Sequence, residues 1–107
     1  MKTKPVIPRA LARRDVEDAV DYYAGEAGAD VAIKFLDALK DAYHVLGMRP
    51  ATGSPHYGQI LDIVGLRSRK IVRFPYLIFY VEQDELIDVW RVLHTQRDIA
   101  SWLKPGN

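Results

Sequence analysis

The segment Leu66–Ile99 constrains the fold most, because its pattern indicates three consecutive β-strands joined by short turns. The first strand, Leu66–Arg73, carries four cations and no acidic residue, and the second, Tyr76–Val81, is an uninterrupted aromatic and aliphatic run. The polar turn Glu82–Glu85 then leads to a third strand over Leu86–Leu93. Runs of β-branched and aromatic residues bounded by turn residues are typical of strands. The pattern therefore predicts a three-stranded antiparallel meander.

Side chains alternate across a strand, so the spacing predicts which of them share a face. In the third strand, one face is expected to carry Ile87, Val89, Arg91 and Leu93. The other face is expected to carry Leu86, Asp88, Trp90, Val92 and His94. In the first strand, the residues that share a face are Arg67, Arg69, Ile71 and Arg73. A row of arginines on so small a sheet is the most informative functional feature of the sequence.

Two amphipathic helices precede the meander, over roughly Arg9–Glu26 and Asp30–Leu46, the second with its first residue as N-cap. The apolar stripe of the first is Ala12, Val16, Ala19, Val20, Tyr23 and Ala27. The stripe of the second is Ala32, Phe35, Leu36, Leu39, Ala42, Tyr43 and Leu46. Gly25 and Gly28 are expected to end the first helix and Gly47 the second. So short a connection predicts an antiparallel helical hairpin.

The remaining segments are shorter and less regular. Lys2–Ile7 is expected to form a brief edge strand, since Pro5 and Pro8 limit its pairing. The Pro- and Gly-rich stretch Met48–Val64 is expected to be a surface loop over the sheet edge. Thr95–Asp98 has the form of a capping box with Asp98 at N3. Trp90, in the third strand, is expected to lie in the core. Ile99, Trp102 and Leu103 are expected to anchor the final helix on the core.

These elements predict an α+β fold in a single domain over residues 1–107. An N-terminal edge strand is followed by the helical hairpin, the antiparallel meander and a short C-terminal helix, with the helices gathered on one face of the sheet. The chain has no cysteine, no secretory leader pattern and no apolar run long enough to span a membrane. We therefore expect a cytoplasmic protein, without membrane association, disulfides or a cofactor. Its formal net charge of +1 does not indicate a general nucleic-acid binder.

Four short pieces of this sequence resemble the ParE toxins of the RelE/ParE superfamily, also called plasmid stabilisation proteins. They are Lys34–Leu39 in the second helix, Gly65–Arg67, the pattern Tyr76-x-Ile78-x-Tyr80, and Arg91–His94 followed by Arg97-Asp98. The resemblance spans nearly the whole chain, from about Arg9 to Ile99. It implies the toxin of a type II toxin–antitoxin module, forming a hetero-oligomer with a ParD-like antitoxin.

The resemblance also implies two alternative modes of action. ParE toxins poison DNA gyrase by binding, which would need no catalytic residue and would involve DNA only through gyrase or the antitoxin. RelE-like members instead cut mRNA on the ribosome, and here Arg67, Arg91 and His94 would be the residues to supply cations and a titrating group. The C-terminal Tyr or His-Tyr of active RelE-like members is absent from this chain. A third alternative is an inactive toxin that is retained only as the partner of an antitoxin.

Two sets of residues are candidates for protein contacts. Arg69, Lys70 and Arg73 are the target-binding candidates, because cations on an extended strand can meet an acidic partner or a DNA phosphate. The same charges could simply keep an exposed edge strand soluble. The candidate walls of an antitoxin groove are Tyr22, Val31, Phe35, Val45 and Met48, for which core packing is the alternative. Neither His44 nor His56 belongs to a metal-ligand motif, so no metal site is expected.

Overall fold

The computed structural model describes residues 3–103. Its elements are β1 Val6–Pro8, α1 Ala10–Ala27, α2 Ala29–Met48, α3 His56–Ile60, β2 Leu66–Lys70, β3 Tyr76–Glu82, β4 Ile87–His94 and α4 Ile99–Trp102. A 3-10 turn, Pro50–Thr52, lies between α2 and α3. The predicted fold class is confirmed: a strand and a helical hairpin precede an antiparallel meander and a short final helix.

The four strands form one sheet in the order β1-β4-β3-β2. β1 pairs in parallel with β4, and the other two pairings are antiparallel. The predicted edge strand is therefore present, although it spans Val6–Pro8 rather than Lys2–Ile7, and Lys2 lies outside the described residues. Pro8 fits this edge because it has no N–H to donate to a further strand.

A single residue, Gly28, reverses the chain between α1 and α2. Its φ of +95° lies in the region that glycine adopts without a steric penalty. Gly25 continues α1, and Asp30 lies inside the first turn of α2, where no side-chain capping bond forms. The predictions that Gly25 ends the first helix and that Asp30 caps the second are therefore wrong. One left-handed residue is enough to make the turn.

Gly47 was expected to end the second helix, but α2 continues to Met48. The carbonyl of Gly47 accepts a hydrogen bond from the N–H of Lys4 at 3.0 Å. A Cβ at this position would lie only 2.7 Å from the carbonyl oxygen of Lys4. The glycine thus permits close approach of the chain that leads into β1, rather than a helix end.

The sheet is covered on both faces. The main core lies between the sheet and the helical hairpin and includes Phe35, Leu39, Leu46, Ile78, Tyr80, Ile87 and Val89. A second core on the opposite face contains Leu66, Phe79, Leu93, Ile99 and Leu103, with Tyr57, Leu61 and Ile63 packed against it. The helical hairpin lies on one face as expected, but α3 and α4 pack on the opposite face, so the expectation that all helices share one face is wrong. The predicted loop over Met48–Val64 contains α3, which sequence patterning missed because Pro and Gly interrupt its apolar residues.

A β-bulge in β4 interrupts the predicted alternation. Phe79 pairs with Arg91, whereas Tyr80 pairs with Val89, so Trp90 is an extra residue on β4. Ile87 and Val89 face the hairpin, but after the bulge Val92 takes that position and Leu93 joins the second core. The predicted shared face of Ile87, Val89, Arg91 and Leu93 is therefore wrong in its second half, because one extra residue reverses the side chains that follow it.

The first strand of the meander is shorter than predicted. β2 ends at Lys70, and Ile71 enters the main core, where it is fully buried. Arg73 lies in the turn to β3 with a φ of +72°. The predicted arginine row is therefore reduced to Arg67 and Arg69 within the strand, and Arg73 belongs to the turn that follows it.

The C-terminal segment caps differently from the prediction. Asp98 is the N-cap of α4 and accepts a hydrogen bond from the N–H of Ser101 at 3.4 Å, so it does not occupy position N3. Ile99 and Leu103 are buried as expected. Trp102, expected in the core, is 40% exposed. α4 has only one helical turn. It buries Ile99, its first residue, together with Leu103 just after its end, and leaves Trp102 at the surface.

Candidate functional site

A groove lies between α2 and the β2–β3 turn, and we call it the basic groove. Its volume is about 470 Å³. Its lining residues come from α2, the end of β2 and the turn: Lys34, Asp37, Ala38, Asp41, Ala42, Val45, Arg69, Lys70, Val72, Arg73 and Phe74. The structure thus brings all three target-binding candidates together at one groove.

The cations on one rim of this groove, Arg69, Lys70 and Arg73, form no ion pair with the described part of the chain. Within residues 3–103, the ion pairs join Lys4 to Glu82, Arg9 to Asp88, and Arg91 to Asp15. Lys70 and Arg73 are exposed and Arg69 is half-buried. None of these three has a carboxylate within ion-pair distance among the described residues, so their charges are available to a partner.

The floor and the opposite rim of the basic groove differ chemically from the cationic rim. Val72 is 68% exposed although it is apolar, and Phe74 is half-buried beside it. Lys34, Asp37 and Asp41 recur at intervals of three and four along α2, so they form one stripe. The groove therefore has an apolar floor between a cationic rim and a mixed, mainly acidic rim.

The outer edge of β2 is partly occupied by the preceding loop. Ser54 exchanges two backbone hydrogen bonds with Ser68, at 2.8 and 2.9 Å. Arg67 supports this loop by donating to the carbonyl of Gly53 at 2.7 Å. The hydroxyl of Tyr80 donates to the carbonyl of Pro50 at 2.6 Å and accepts from the N–H of Gly53 at 3.1 Å. Arg67 is therefore part of the support that holds the loop on the sheet.

Arg91 is held in a part-buried ion pair that joins β4 to α1. Its Nε and Nη2 donate to the two carboxylate oxygens of Asp15 at 2.8 and 2.7 Å. Asp15 also accepts the N–H of Val92 at 3.0 Å, and Arg91 donates to the carbonyl of Trp102 at 3.2 Å. The hydrogen bonds to Asp15 raise the pKa of Arg91 above its ordinary value. The guanidinium therefore links three elements and is only slightly exposed.

His94 lies in a separate cleft, of about 340 Å³, between α1 and α4. Its Nδ1 accepts the N–H of Gln96 at 3.1 Å, and its ring meets Tyr76 edge to face. Asp18, Tyr22, Arg97 and Trp102 also line this cleft. The three residues of the RNA-cleavage alternative thus belong to three networks: Arg67 with Gly53, Arg91 with Asp15, and His94 with Gln96.

The antitoxin-binding candidates are spread over the hairpin. Tyr22 is 59% exposed and lines the cleft that contains His94, whereas Val45 lines the basic groove. Val31 is half-buried and Met48 is 38% exposed, away from both cavities. Phe35 is fully buried in the main core, so its side chain is not a groove wall. Of this set, only Val45 lies beside the target-binding candidates.

Among the described residues, no cluster of three or more His, Cys, Asp or Glu side chains is arranged to hold a metal ion. Within residues 3–103, no helix is both long enough and apolar enough to cross a membrane.

The family model described as "ParE toxin of type II toxin-antitoxin system, parDE" matches residues 6–99. This match covers most of the chain. The chain belongs to the ParE toxin family. It is therefore a toxin of a type II toxin–antitoxin system, as the resemblance predicts.

The fold of this ParE-family toxin also agrees with a solved structure. A chain described as "Chromosomal ParDE TA system from P. aeruginosa" superimposes with a TM-score of 0.72 at 17% sequence identity. The similarity covers 86% of this toxin and 96% of that chain. A search of the curated proteins gave no match.

Several residues of the basic groove were not predicted as site residues in this ParE-family toxin. Asp37 and Asp41 lie outside the apolar stripe of α2, and their spacing in the sequence gives no sign of what lies opposite them. Val72 had one usable signal, since it is an apolar residue that directly precedes Arg73 in a segment rich in cations. Outside this groove, the pairing of Asp15 with Arg91 had no signal in the sequence, because the two residues are 76 positions apart.

Proposed function

We propose that this toxin inhibits DNA gyrase by binding to it in the cytoplasm, and that a ParD-like antitoxin neutralises it. Membership of the ParE toxin family supports the toxin–antitoxin role. The observation that carries the mode of action is the group formed by Arg69, Lys70 and Arg73 on one rim of the basic groove, none of which has an ionic partner within residues 3–103. They form a ready contact surface for an acidic region of a protein target.

The proposed target contacts are Arg69, Lys70 and Arg73. Exposed cations of this kind speed association with an acidic partner, and they add affinity once they are desolvated in the complex. The apolar side chain of Val72 lies among them and supplies contact area that a purely electrostatic site lacks. DNA enters this proposal only through gyrase or through the antitoxin.

No specific observation favours the RNA-cleavage alternative. A nuclease site needs its base, its acid and its cations around one phosphate. Here Arg67 and Arg91 each have an internal hydrogen-bond acceptor, and His94 lies in a different cleft from the basic groove. The proposed mode of action is therefore binding without covalent chemistry.

Binding of purified gyrase to the immobilised toxin tests the proposed contacts. The double variant Lys70→Ala with Arg73→Ala should weaken binding about ten- to a hundredfold, because each of the two contacts contributes about 0.7–1.4 kcal/mol. The matched control is Lys40→Ala with Arg13→Ala, which removes the same two residue types from exposed helix positions outside the groove. Equal effects of the two double variants would refute the proposed contact surface.

A further inference from the structure

The outer face of α1 carries a row of four exposed residues, which we call the α1 stripe: Leu11, Arg14, Asp18 and Tyr22. Their spacing of three, four and four positions places them on one side of the helix, away from the main core. Leu11 is 42% exposed and Tyr22 is 59% exposed. A large apolar or aromatic side chain thus lies at each end of the stripe, with two opposite charges between them.

The two charges of the α1 stripe are not used within the described chain. Neither Arg14 nor Asp18 forms an ion pair within residues 3–103, although they are four positions apart on one helix. Their order, with the cation nearer the N-terminus, is the less favourable one for a pair within a helix. The neighbouring Asp15 is already bonded to Arg91 and to the N–H of Val92. The charges at the centre of the stripe are therefore open to a second molecule.

Two cavities lie beside the α1 stripe, one towards each end. The first, of about 460 Å³, is lined by Leu11 and Arg14. The second is the cleft of about 340 Å³ that contains Tyr22. Asp18 and Trp102 line both cavities, so the two adjoin there. The surface beside α1 therefore has room for a protruding side chain at either end.

The order of residues in the α1 stripe is self-complementary under a two-fold axis. When a second copy of α1 runs antiparallel, with the axis at the level of Val16, Arg14 of each copy faces Asp18 of the other. In the same arrangement, Leu11 of each copy faces Tyr22 of the other. The midpoint of residues 14 and 18 and that of residues 11 and 22 differ by half a residue, about 0.75 Å along the helix, so one register forms both contacts.

We propose that this toxin associates with a second copy of itself through the α1 stripe, as a symmetric antiparallel dimer. The charge pattern selects this occupant, because a two-fold interface forms each contact between Arg14 and Asp18 twice. A parallel arrangement would instead bring like charges together, and so would an axis at Asp18. Each Tyr22 then enters the cavity beside the other copy's Leu11, and each Leu11 enters the cleft beside the other copy's Tyr22.

The size of this interface predicts a weak dimer. Two helices of this length bury about 1,000 Å² or less in total, which is at the low end for specific complexes, so we expect a Kd of about 10–100 µM. No residue of the α1 stripe lines the basic groove. Self-association is therefore independent of the proposed target contacts, and either proposal can fail without the other.

Charge reversal tests the proposed interface, with sedimentation equilibrium of antitoxin-free toxin as the measurement. Arg14→Asp and Asp18→Arg each place like charges at both contacts, so each variant should dimerise at least about tenfold more weakly than the wild type. A mixture of the two single variants should recover the wild-type affinity, because one copy then carries two anions and the other two cations. The matched controls are Arg13→Asp and Glu17→Arg, which reverse the same kinds of charge at exposed positions of α1 outside the stripe. Each control should leave the Kd within about twofold of the wild type.

The double variant Arg14→Asp with Asp18→Arg gives a second measurement within a single chain. It exchanges the two charges, so it should dimerise like the wild type, and circular dichroism should show native folding because both positions are exposed. A wild type that stays monomeric at about 1 mM would overturn the inference. It would also be overturned by a dimer that the controls weaken as much as the stripe variants, or by a double variant that folds and does not recover the affinity.

Discussion

Removal of the Asp15 carboxylate should destabilise the toxin strongly. Both side chains of the Asp15–Arg91 pair are only 11% exposed. The carboxylate accepts two hydrogen bonds from Arg91 and one from the N–H of Val92. Asp15→Ala leaves a nearly buried guanidinium without its counter-charge and a backbone N–H without its acceptor. Breaking a buried ion pair in this way costs about 3–5 kcal/mol of the free energy of unfolding.

This loss is a large share of the stability of a small domain, which is about 5–15 kcal/mol. For a chain of this size, it should lower the thermal midpoint by about 15–30 °C. Urea unfolding followed by tryptophan fluorescence measures the free energy, and circular dichroism measures the thermal midpoint. Both measurements compare the variant with the wild type in the same buffer.

The matched control is Glu82→Ala, which removes a carboxylate from a more exposed pair. Lys4 and Glu82 are 27% and 41% exposed at a distance of 2.8 Å. Loss of such a surface pair costs about 0–1 kcal/mol. The combined variant Asp15→Leu with Arg91→Met should recover much of the loss, since it removes both charges together. If Asp15→Ala costs no more than Glu82→Ala, the reasoning about the buried pair is refuted.

Three further perturbations follow from local packing and titration. Tyr43→Phe should raise the free energy of unfolding by about 1 kcal/mol in urea titrations at neutral pH, because the buried hydroxyl has no hydrogen-bond partner among the described residues; a loss of stability would show that the hydroxyl is bonded. Burial, with a smaller effect of Asp15, raises the pKa of Tyr43 from 10.0 to about 12, so the unfolded chain ionises before the folded one and the free energy of unfolding falls as the pH rises from 10 towards 12. Between pH 10 and 12, the free energy of unfolding of the wild type should therefore fall by up to about 2 kcal/mol more than that of Tyr43→Phe in unfolding titrations. Equal falls in the two proteins would contradict the raised pKa of Tyr43. Gly53→Ala should lower the free energy of unfolding by about 2 kcal/mol, because its Cβ would overlap the hydroxyl of Tyr80. Gly25→Ala, with no atom within 4 Å of its Cβ, should raise it by about 0.5–1 kcal/mol. Equal thermal midpoints for the two variants would contradict this contrast.

The elements with strong periodicity could be predicted from the sequence. The apolar stripe of α2 recurs at helical spacing, and Phe35, Leu39 and Leu46 are buried as that stripe requires. The aromatic and aliphatic run over Tyr76–Val81 similarly lies within β3. In these segments local preference and burial favour the same structure, so a pattern in one stretch of chain was sufficient.

The errors arise where distant parts of the chain decide the structure. Gly47 has the residue type of a helix end, but its role depends on Lys4, which reaches α2 only in the folded chain. The bulge at Trp90 has no local signature, and it reverses the faces of Val92 and Leu93. A period-two rule cannot anticipate an inserted residue, because the rule assumes an uninterrupted ladder.

In the candidate site too, the local features could be predicted from the sequence and the features that depend on distant parts of the chain could not. Arg69, Lys70 and Arg73 could be identified from the sequence, because cations cluster there without nearby acidic residues. The groove beside them could not, since it needs α2 to pack against the turn after β2. The structure therefore adds the acidic rim and the apolar floor, which are the features that define a partner.

A gyrase supercoiling reaction titrated with the purified toxin tests the central claim most directly. The account predicts that supercoiling falls and cleaved DNA accumulates as wild-type toxin is added, and that the cognate antitoxin reverses both effects. The Lys70→Ala, Arg73→Ala variant should require about ten- to a hundredfold more toxin for the same inhibition. Unchanged supercoiling at toxin concentrations that saturate the antitoxin would contradict the account.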